Sequence, residues 1–384
     1  MVNNAEACTR RDFCRTAALT GGALLTSSAA RADKKPVGLT LTSPVPRQVV
    51  QREEFRPAQA HDHEPGGPQL GQARVAVAGR WTGPVPVRLE ARVSLHEGCT
   101  GRTVDWTPLG EVQTPAFAFD LVVPAGGWYR LEVRVMDAAG TVLRTAEVDP
   151  FGVGEVFVIS GQSYAAGAND ELQTIDDPLE RSVLLDVTAQ SWRTANDPFP
   201  HVGDGGTIWP AFAHALQPIV RVPVGLVNVA VGGTATRQWL PGEDLYQRFV
   251  EGGRAAGRFR FVLWQQGESD VIENISTETY VERLQIIRDG LTQEWGFEPT
   301  WLLAKSTLHP TVYNKPFEEA RIREAIDKLW KLPGFAPGPD TDILAGENRG
   351  GVNSRRHFSP IGQRRAGLMW FASVWAALLK ETTR

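Results

Sequence analysis

Two periodicities divide the chain. Between about residues 37 and 150, apolar and polar positions alternate with a period of two, as in residues 73–78, 87–93, 117–123 and 129–135. Turns such as Ala125-Gly126-Gly127 and Asp137-Ala138-Ala139-Gly140 separate these runs, so the segment predicts a β-sandwich over residues 37–152. From residue 153 the pattern changes. Continuously apolar runs at 155–160, 225–231, 260–264 and 300–304 suit parallel strands covered on both faces. Helical spacing lies between and after them. In residues 277–295, Tyr280, Leu284, Ile287 and Leu291 share one face. A second helix runs from Pro316 to about Leu332, before Pro333-Gly334. The last has Ser359 as N-cap and Pro360 at its first position, with Trp370 and Trp375 among Leu368, Phe371 and Leu378 on a core face. Residues 153–384 thus predict an α/β domain with a parallel sheet.

The first 32 residues fit neither pattern. A charged start, a short apolar stretch and Ala30-Arg31-Ala32 make a signal peptide, and Arg10-Arg11 followed by Phe13 resembles a twin-arginine export signal. Export would give a periplasmic or secreted protein, and no segment is long and apolar enough to make an integral membrane protein. Two of the three cysteines, Cys8 and Cys14, fall in the signal, which leaves Cys99 and no disulfide framework. A net charge of −4 argues against nucleic acid as a partner. His61-Asp62-His63-Glu64 could ligate a metal, but beside Pro65-Gly66-Gly67-Pro68 it reads as a solvated loop. Twelve tryptophans are consistent with core packing, with sugar stacking as a second use.

Chemistry concentrates at strand ends. Ser160-Gly161-Gln162-Ser163-Tyr164 follows the first α/β strand, Gly232-Gly233-Thr234 the second, and Gln265-Gln266-Gly267-Glu268-Ser269-Asp270 the third, all where open α/β sheets place their sites. His357 precedes the last helix. A serine nucleophile needs a base, donors for an oxyanion and an orienting group, and these clusters supply each type.

With these motifs the chain resembles the SGNH-hydrolase superfamily, in its carbohydrate esterase branch of sialate O-acetylesterases and acetylxylan esterases. Gly161-Gln162-Ser163, Gly232-Gly233-Thr234 with Trp239, Trp264-Gln265-Gln266-Gly267-Glu268-Ser269-Asp270 and His357-Phe358-Ser359 carry the resemblance in order. It implies a three-layer, flavodoxin-like α/β hydrolase domain behind an immunoglobulin-like module, acting without metal or organic cofactor on an acetylated carbohydrate. It implies Ser163 as nucleophile and His357 as base, with the Ser163 N–H, the Gly232 or Gly233 N–H and the Gln266 amide as oxyanion hole. Glu268 stands first as orienting acid and Asp270 second. A Ser–His dyad helped by Asn353 or Ser354 is third, because Ser354 holds the position where many members carry aspartate. Tyr164 and Gln265 replace a family asparagine and histidine, and Tyr164, Trp239, His309 and Arg349 are candidates for the substrate wall. The rival readings are a catalytically impaired carbohydrate-binding or surface protein and an esterase of other acyl esters on the same fold.

Overall fold

The computed structural model describes residues 37–57, 69–200, 205–309, 314–351 and 356–381. The predicted signal, the His61–Glu64 cluster, Asn353 and Ser354 lie outside them. Eight strands open the described chain: β1 (Leu39–Ser43), β2 (Val49–Gln51), β3 (Gln72–Trp81), β4 (Val87–Thr100), β5 (Val104–Val112), β6 (Ala116–Pro124), β7 (Gly126–Met136) and β8 (Val142–Gly161). Strands β1, β3 and β6 form one antiparallel sheet, while β5, β4, β7 and the first half of β8 form another. Their inward residues, such as Val75, Val77 and Val123 against Leu89, Leu131 and Val133, share one core, as period-two alternation requires.

Strand β8 does not stop at residue 152. Its first half pairs with β7, and the second pairs in parallel with the strands of the α/β region. One 20-residue strand therefore runs through both sheets, and Val37–Arg384 form one compact unit. Beyond it come α1 (Ser163–Ala166), β9 (Ser182–Asp186), β10 (Ser191–Thr194), α2 (Trp209–Val220), β11 (Val224–Asn228), α3 (Asp244–Ala256), β12 (Phe261–Gln265), α4 (Glu268–Ile272), α5 (Thr277–Trp295), β13 (Thr300–Lys305), α6 (Pro316–Leu329), β14 (Phe335–Asp340) and α7 (Pro360–Glu381). The strand order is β10-β9-β11-β8-β12-β13-β14, and all neighbours pair in parallel except β10 with β9.

Alternation along these strands divides the helices into two groups. Phe157, Ile159, Leu226 and Leu263 share a buried cluster with α2 and α7, while Val156, Val158, Val227 and Val262 share another with α3, α5 and α6. The four α5 residues of the predicted face are all fully buried, Ser276 caps that helix through Thr279 N–H, and Ser359 Oγ accepts from Gly362 N–H at the start of α7. Leu368 departs from expectation. It is 52% exposed while Trp370 and Leu378 are buried, because the face packed on the sheet is centred on Ala366, Trp370 and Val374. Eight tryptophans are buried, six of them fully (Trp81, Trp209, Trp239, Trp264, Trp301 and Trp370) and Trp128 and Trp192 nearly so, so core packing accounts for two thirds of the twelve.

Where the two sheets meet, Glu155 of β8 is fully buried and bound by Arg52 (2.8 Å) and Arg260 (3.0 Å), with Gln51 donating at 3.0 Å. Burial alone would raise this carboxyl, but the two guanidinium groups outweigh it and hold it down to about 2.

Candidate active site

Strands β11, β8 and β12 are adjacent and parallel, and the chain leaves β8 toward β9 and β11 on one side before returning as β12 on the other. Their carboxyl ends thus meet at a topological switch point. Strand β8 ends in Gly161, with φ near +131°, where a Cβ would lie 2.0 Å from Gln265 O. Only glycine permits that approach, and Gln162 N–H seals it by donating to Gln265 O at 3.0 Å. Ser163 then opens α1 and retains 8% exposure. On the β11 side, a Cβ on Gly232 would sit 3.7 Å from Ser163 Cβ, so the Gly232 backbone runs beside the serine. The N–H groups of Ser163, Gly232 and Gly233 meet no acceptor among the described residues.

His357 is held against Tyr164, the residue after this serine, by its neighbours. Asn169 Oδ1 accepts from Phe358 N–H at 3.1 Å, while its amide nitrogen donates to Tyr164 O at 3.2 Å. Tyr164 Oη lies 2.6 Å from Arg356 O and 3.0 Å from Leu308 O, and accepts from the Arg349 guanidinium. The Tyr164 ring stands edge-on to His357 at 5.3 Å and to His309 at 6.3 Å. Asp342 pins the turn before His309 by accepting from Thr307 N–H (2.7 Å) and Leu308 N–H (2.9 Å). Burial first, then the charges of Arg356 and Arg349, hold His357 down to about 4, so its imidazole is neutral at pH 7. Nε2 of His357 is buried without a hydrogen-bond partner among the described residues. No hydrogen bond joins Ser163 to His357, and Tyr164, the residue after the serine, packs against the imidazole.

The structure gathers Ser163, Tyr164, Gly232, His309, Arg349 and His357, and places four expected participants differently. Gln266 is fully buried, and its amide nitrogen donates to Asp270 (2.5 Å), Thr234 O (3.0 Å) and Gln162 (3.2 Å), so it braces the wall instead of facing the cleft. Asp270 accepts from Thr236 N–H at 2.8 Å and Thr236 Oγ1 at 2.5 Å, which anchors the turn after β11. Trp239 is fully buried and donates to Thr234, which removes it from any open sugar platform. Glu268 accepts from Ser306 Oγ at 2.6 Å, and burial, only partly opposed by that bond, lifts its carboxyl to about 8. A group neutral at pH 7 cannot serve as the anionic partner of an imidazolium, and the charged groups acting on His357 are arginines. Sequence reasoning missed Asn169 and Asp342, which position the two histidine segments. Asp342 lies just past β14, and that strand-end location was the available signal.

A serine opening a helix at the carboxyl edge of a parallel sheet, with free backbone N–H groups beside it and a neutral histidine packed on the next residue, supplies the parts that acyl transfer to a serine requires. Residues 153–333 match the family model described as carbohydrate esterase, sialic acid-specific acetylesterase. A protein of Arabidopsis thaliana named "Probable carbohydrate esterase At4g34215" is 30% identical over 156 residues, which cover 34% of this chain. The chain spans 60% of the length of that relative. Among solved structures, a carbohydrate acetylesterase from Xanthomonas citri aligns over 88% of this chain and 74% of its own, with a TM-score of 0.53 and 18% identity, which shows a shared fold. The X-ray structure of the Arabidopsis thaliana protein AT4G34215 aligns over 58% of this chain and 98% of its own, with a TM-score of 0.47 and 22% identity.

Proposed function

We propose that the protein is a serine esterase that removes O-acetyl groups from a carbohydrate, on a three-layer SGNH-type domain. The observation that carries this reading is the position of Ser163 at the switch point beside the Gly232 backbone, with a neutral His357 packed on the adjacent Tyr164. Ser163 Oγ attacks the acetyl carbonyl while His357 takes its proton. The N–H groups of Ser163 and of Gly232 or Gly233 hold the oxyanion, and imidazolium then protonates the departing sugar hydroxyl. Water, deprotonated by the same histidine, releases acetate and frees the serine. The machinery is a Ser–His dyad in which Tyr164 and Asn169 position the histidine segment, and Glu268 acts as a neutral brace through Ser306. The family match over residues 153–333 supports the carbohydrate acetyl ester as substrate.

Acetate release from 4-nitrophenyl acetate and from acetylated xylan and sialylated glycans, compared between wild type and Ser163→Ala, tests the reading. Equal, slow hydrolysis by both proteins would leave a non-catalytic carbohydrate-binding protein as the better account. Export through the twin-arginine route belongs to the same proposal. It predicts that changing Arg10 and Arg11 to lysine retains the protein in the cytoplasm, and undiminished export would contradict it.

A further inference from the structure

The donors of the oxyanion hole come from two separate segments. The Ser163 N–H belongs to α1, which follows β8, whereas those of Gly232 and Gly233 belong to the turn after β11. The ladder between the two strands runs on past Asn228, with Val229 N–H donating to Ile159 O at 2.9 Å and Val231 N–H to Gly161 O at 3.0 Å. It ends there, before either donor. Helix α1 is a single turn, too short to be stable through its own hydrogen bonds. A group outside α1 must therefore fix the serine relative to the glycines.

Asn228 stands where such a group is needed. It is the last residue of β11 and the one polar side chain in the run Leu226–Val231. Its side chain is buried, where an amide costs free energy unless both of its ends are paired. Both are. The nitrogen donates to Ala165 O of α1 at 2.9 Å, and the oxygen accepts from Ala230 N–H, two residues before Gly232, at 3.0 Å. Trp209 Nε1 of α2 donates to the same Ala165 carbonyl at 2.8 Å, but that bond ties α1 to α2 and does not reach the glycine turn. Among the described residues, no hydrogen bond other than the one from Asn228 joins α1 to residues 228–233. The segments it joins approach closely, since a Cβ on Gly232 would lie 3.7 Å from Ser163 Cβ. An apolar side chain at 228 would fill the same space, yet it could neither donate to the helix nor accept from the turn.

We infer that Asn228 is a positioning residue of the esterase, whose amide sets the spacing between the Ser163 and Gly232 N–H groups so that both meet one oxyanion. The inference rests on the esterase reading. Asn228→Ser and Asn228→Thr keep an oxygen able to accept from Ala230 N–H but are too short to reach Ala165 O. Trp209→Phe removes the other bond to that carbonyl and leaves the turn alone. For each protein, Tm is measured together with kcat and KM on 4-nitrophenyl acetate, counted per folded molecule. The inhibition constant of a trifluoromethyl ketone, whose adduct with a serine carries the oxyanion, is the third readout. A donor misplaced by about 1 Å costs on the order of 10² in rate, so kcat should fall about 10- to 100-fold in both Asn228 variants. KM should stay within about threefold, and affinity for the ketone should fall by the same factor as kcat. Trp209→Phe should lower Tm while its kcat stays within about threefold of wild type. Where one Asn228 variant does not fold, the other decides. A merely structural Asn228 would lower Tm and leave kcat and ketone affinity of the folded protein unchanged, which overturns the inference. A loss of kcat in Trp209→Phe equal to that in the Asn228 variants overturns it as well. No hydrolysis by wild type overturns the esterase reading, and this inference falls with it, whereas an active wild type with unaffected Asn228 variants overturns this inference alone.

Discussion

Replacing Glu268 by glutamine asks whether the acid at the end of β12 works by charge or as a neutral brace. Its carboxyl is fully buried, accepts from Ser306 at 2.6 Å, and is raised from the ordinary 4.5 to about 8 by burial. Between those values the folded protein holds a proton that the unfolded chain releases. The stabilisation from this group is therefore complete below pH 4.5 and is lost as pH rises through 8. At about 1.4 kcal/mol per tenfold, the whole span amounts to roughly 5 kcal/mol. Glutamine keeps the shape and has no proton to lose. Urea unfolding of wild type and Glu268→Gln at pH 5, 7 and 9, followed by tryptophan fluorescence, should give a stability difference that moves in favour of the variant as pH rises. Other titrating groups are common to both proteins and cancel. At pH 5 the variant should lie within about 1 kcal/mol of wild type, the ordinary worth of one exchanged hydrogen bond. Turnover of 4-nitrophenyl acetate should fall by less than about tenfold, because a neutral group replaces a neutral group. A carboxylate orienting the histidine would instead cost on the order of 10⁴. Parallel stability profiles, or a loss of activity of that size, would refute the reasoning.

Other perturbations follow from the same geometry. Because burial and the charges of Arg356 and Arg349 hold His357 near 4, the acid limb of the kcat/KM profile should fall near pH 4, not 6.5, and a limb at 6.5 would show a solvated histidine. Tyr164→Phe removes the hydroxyl that joins Arg356 O, Leu308 O and Arg349, and should cost about 1–3 kcal/mol of stability together with a loss in kcat greater than any rise in KM. An unchanged kcat would mean that Tyr164 only packs. Glu155→Gln leaves the buried Arg52 without its counter-charge and Arg260 with Glu381 alone, and should destabilise by about 3–5 kcal/mol in urea unfolding above pH 5. Since this carboxyl is held down to about 2, the difference from wild type should shrink as pH falls from 4.5 toward 2.

How far the sequence could be read depended on whether a feature was local. The α5 face of Tyr280, Leu284, Ile287 and Leu291 and the Ser359 cap follow from spacing within one element, and all five residues do as that spacing requires. The strand-end clusters were visible for the same reason, because an apolar run that stops at a polar turn marks its own carboxyl end. Side-chain direction beyond a strand end is a tertiary property. Gln266 follows its strand closely in sequence, yet it turns inward because Asp270, Thr234 and Gln162 converge on its amide from three separate segments. Glu268 sits two residues from Asp270 and looked equally acidic, but neither carboxyl has the environment of a free carboxylate once both are buried. The change of pattern near residue 150 looked like a boundary because alternating positions give way to fully buried ones. In the structure it marks the point where one strand passes from a sheet with one solvent face into a sheet covered on both, and nothing in either local period distinguishes a break from that passage. Leu368 illustrates the converse. Its apolar character predicted burial, yet it lies off the face of α7 centred on Ala366, Trp370 and Val374 and stays 52% exposed.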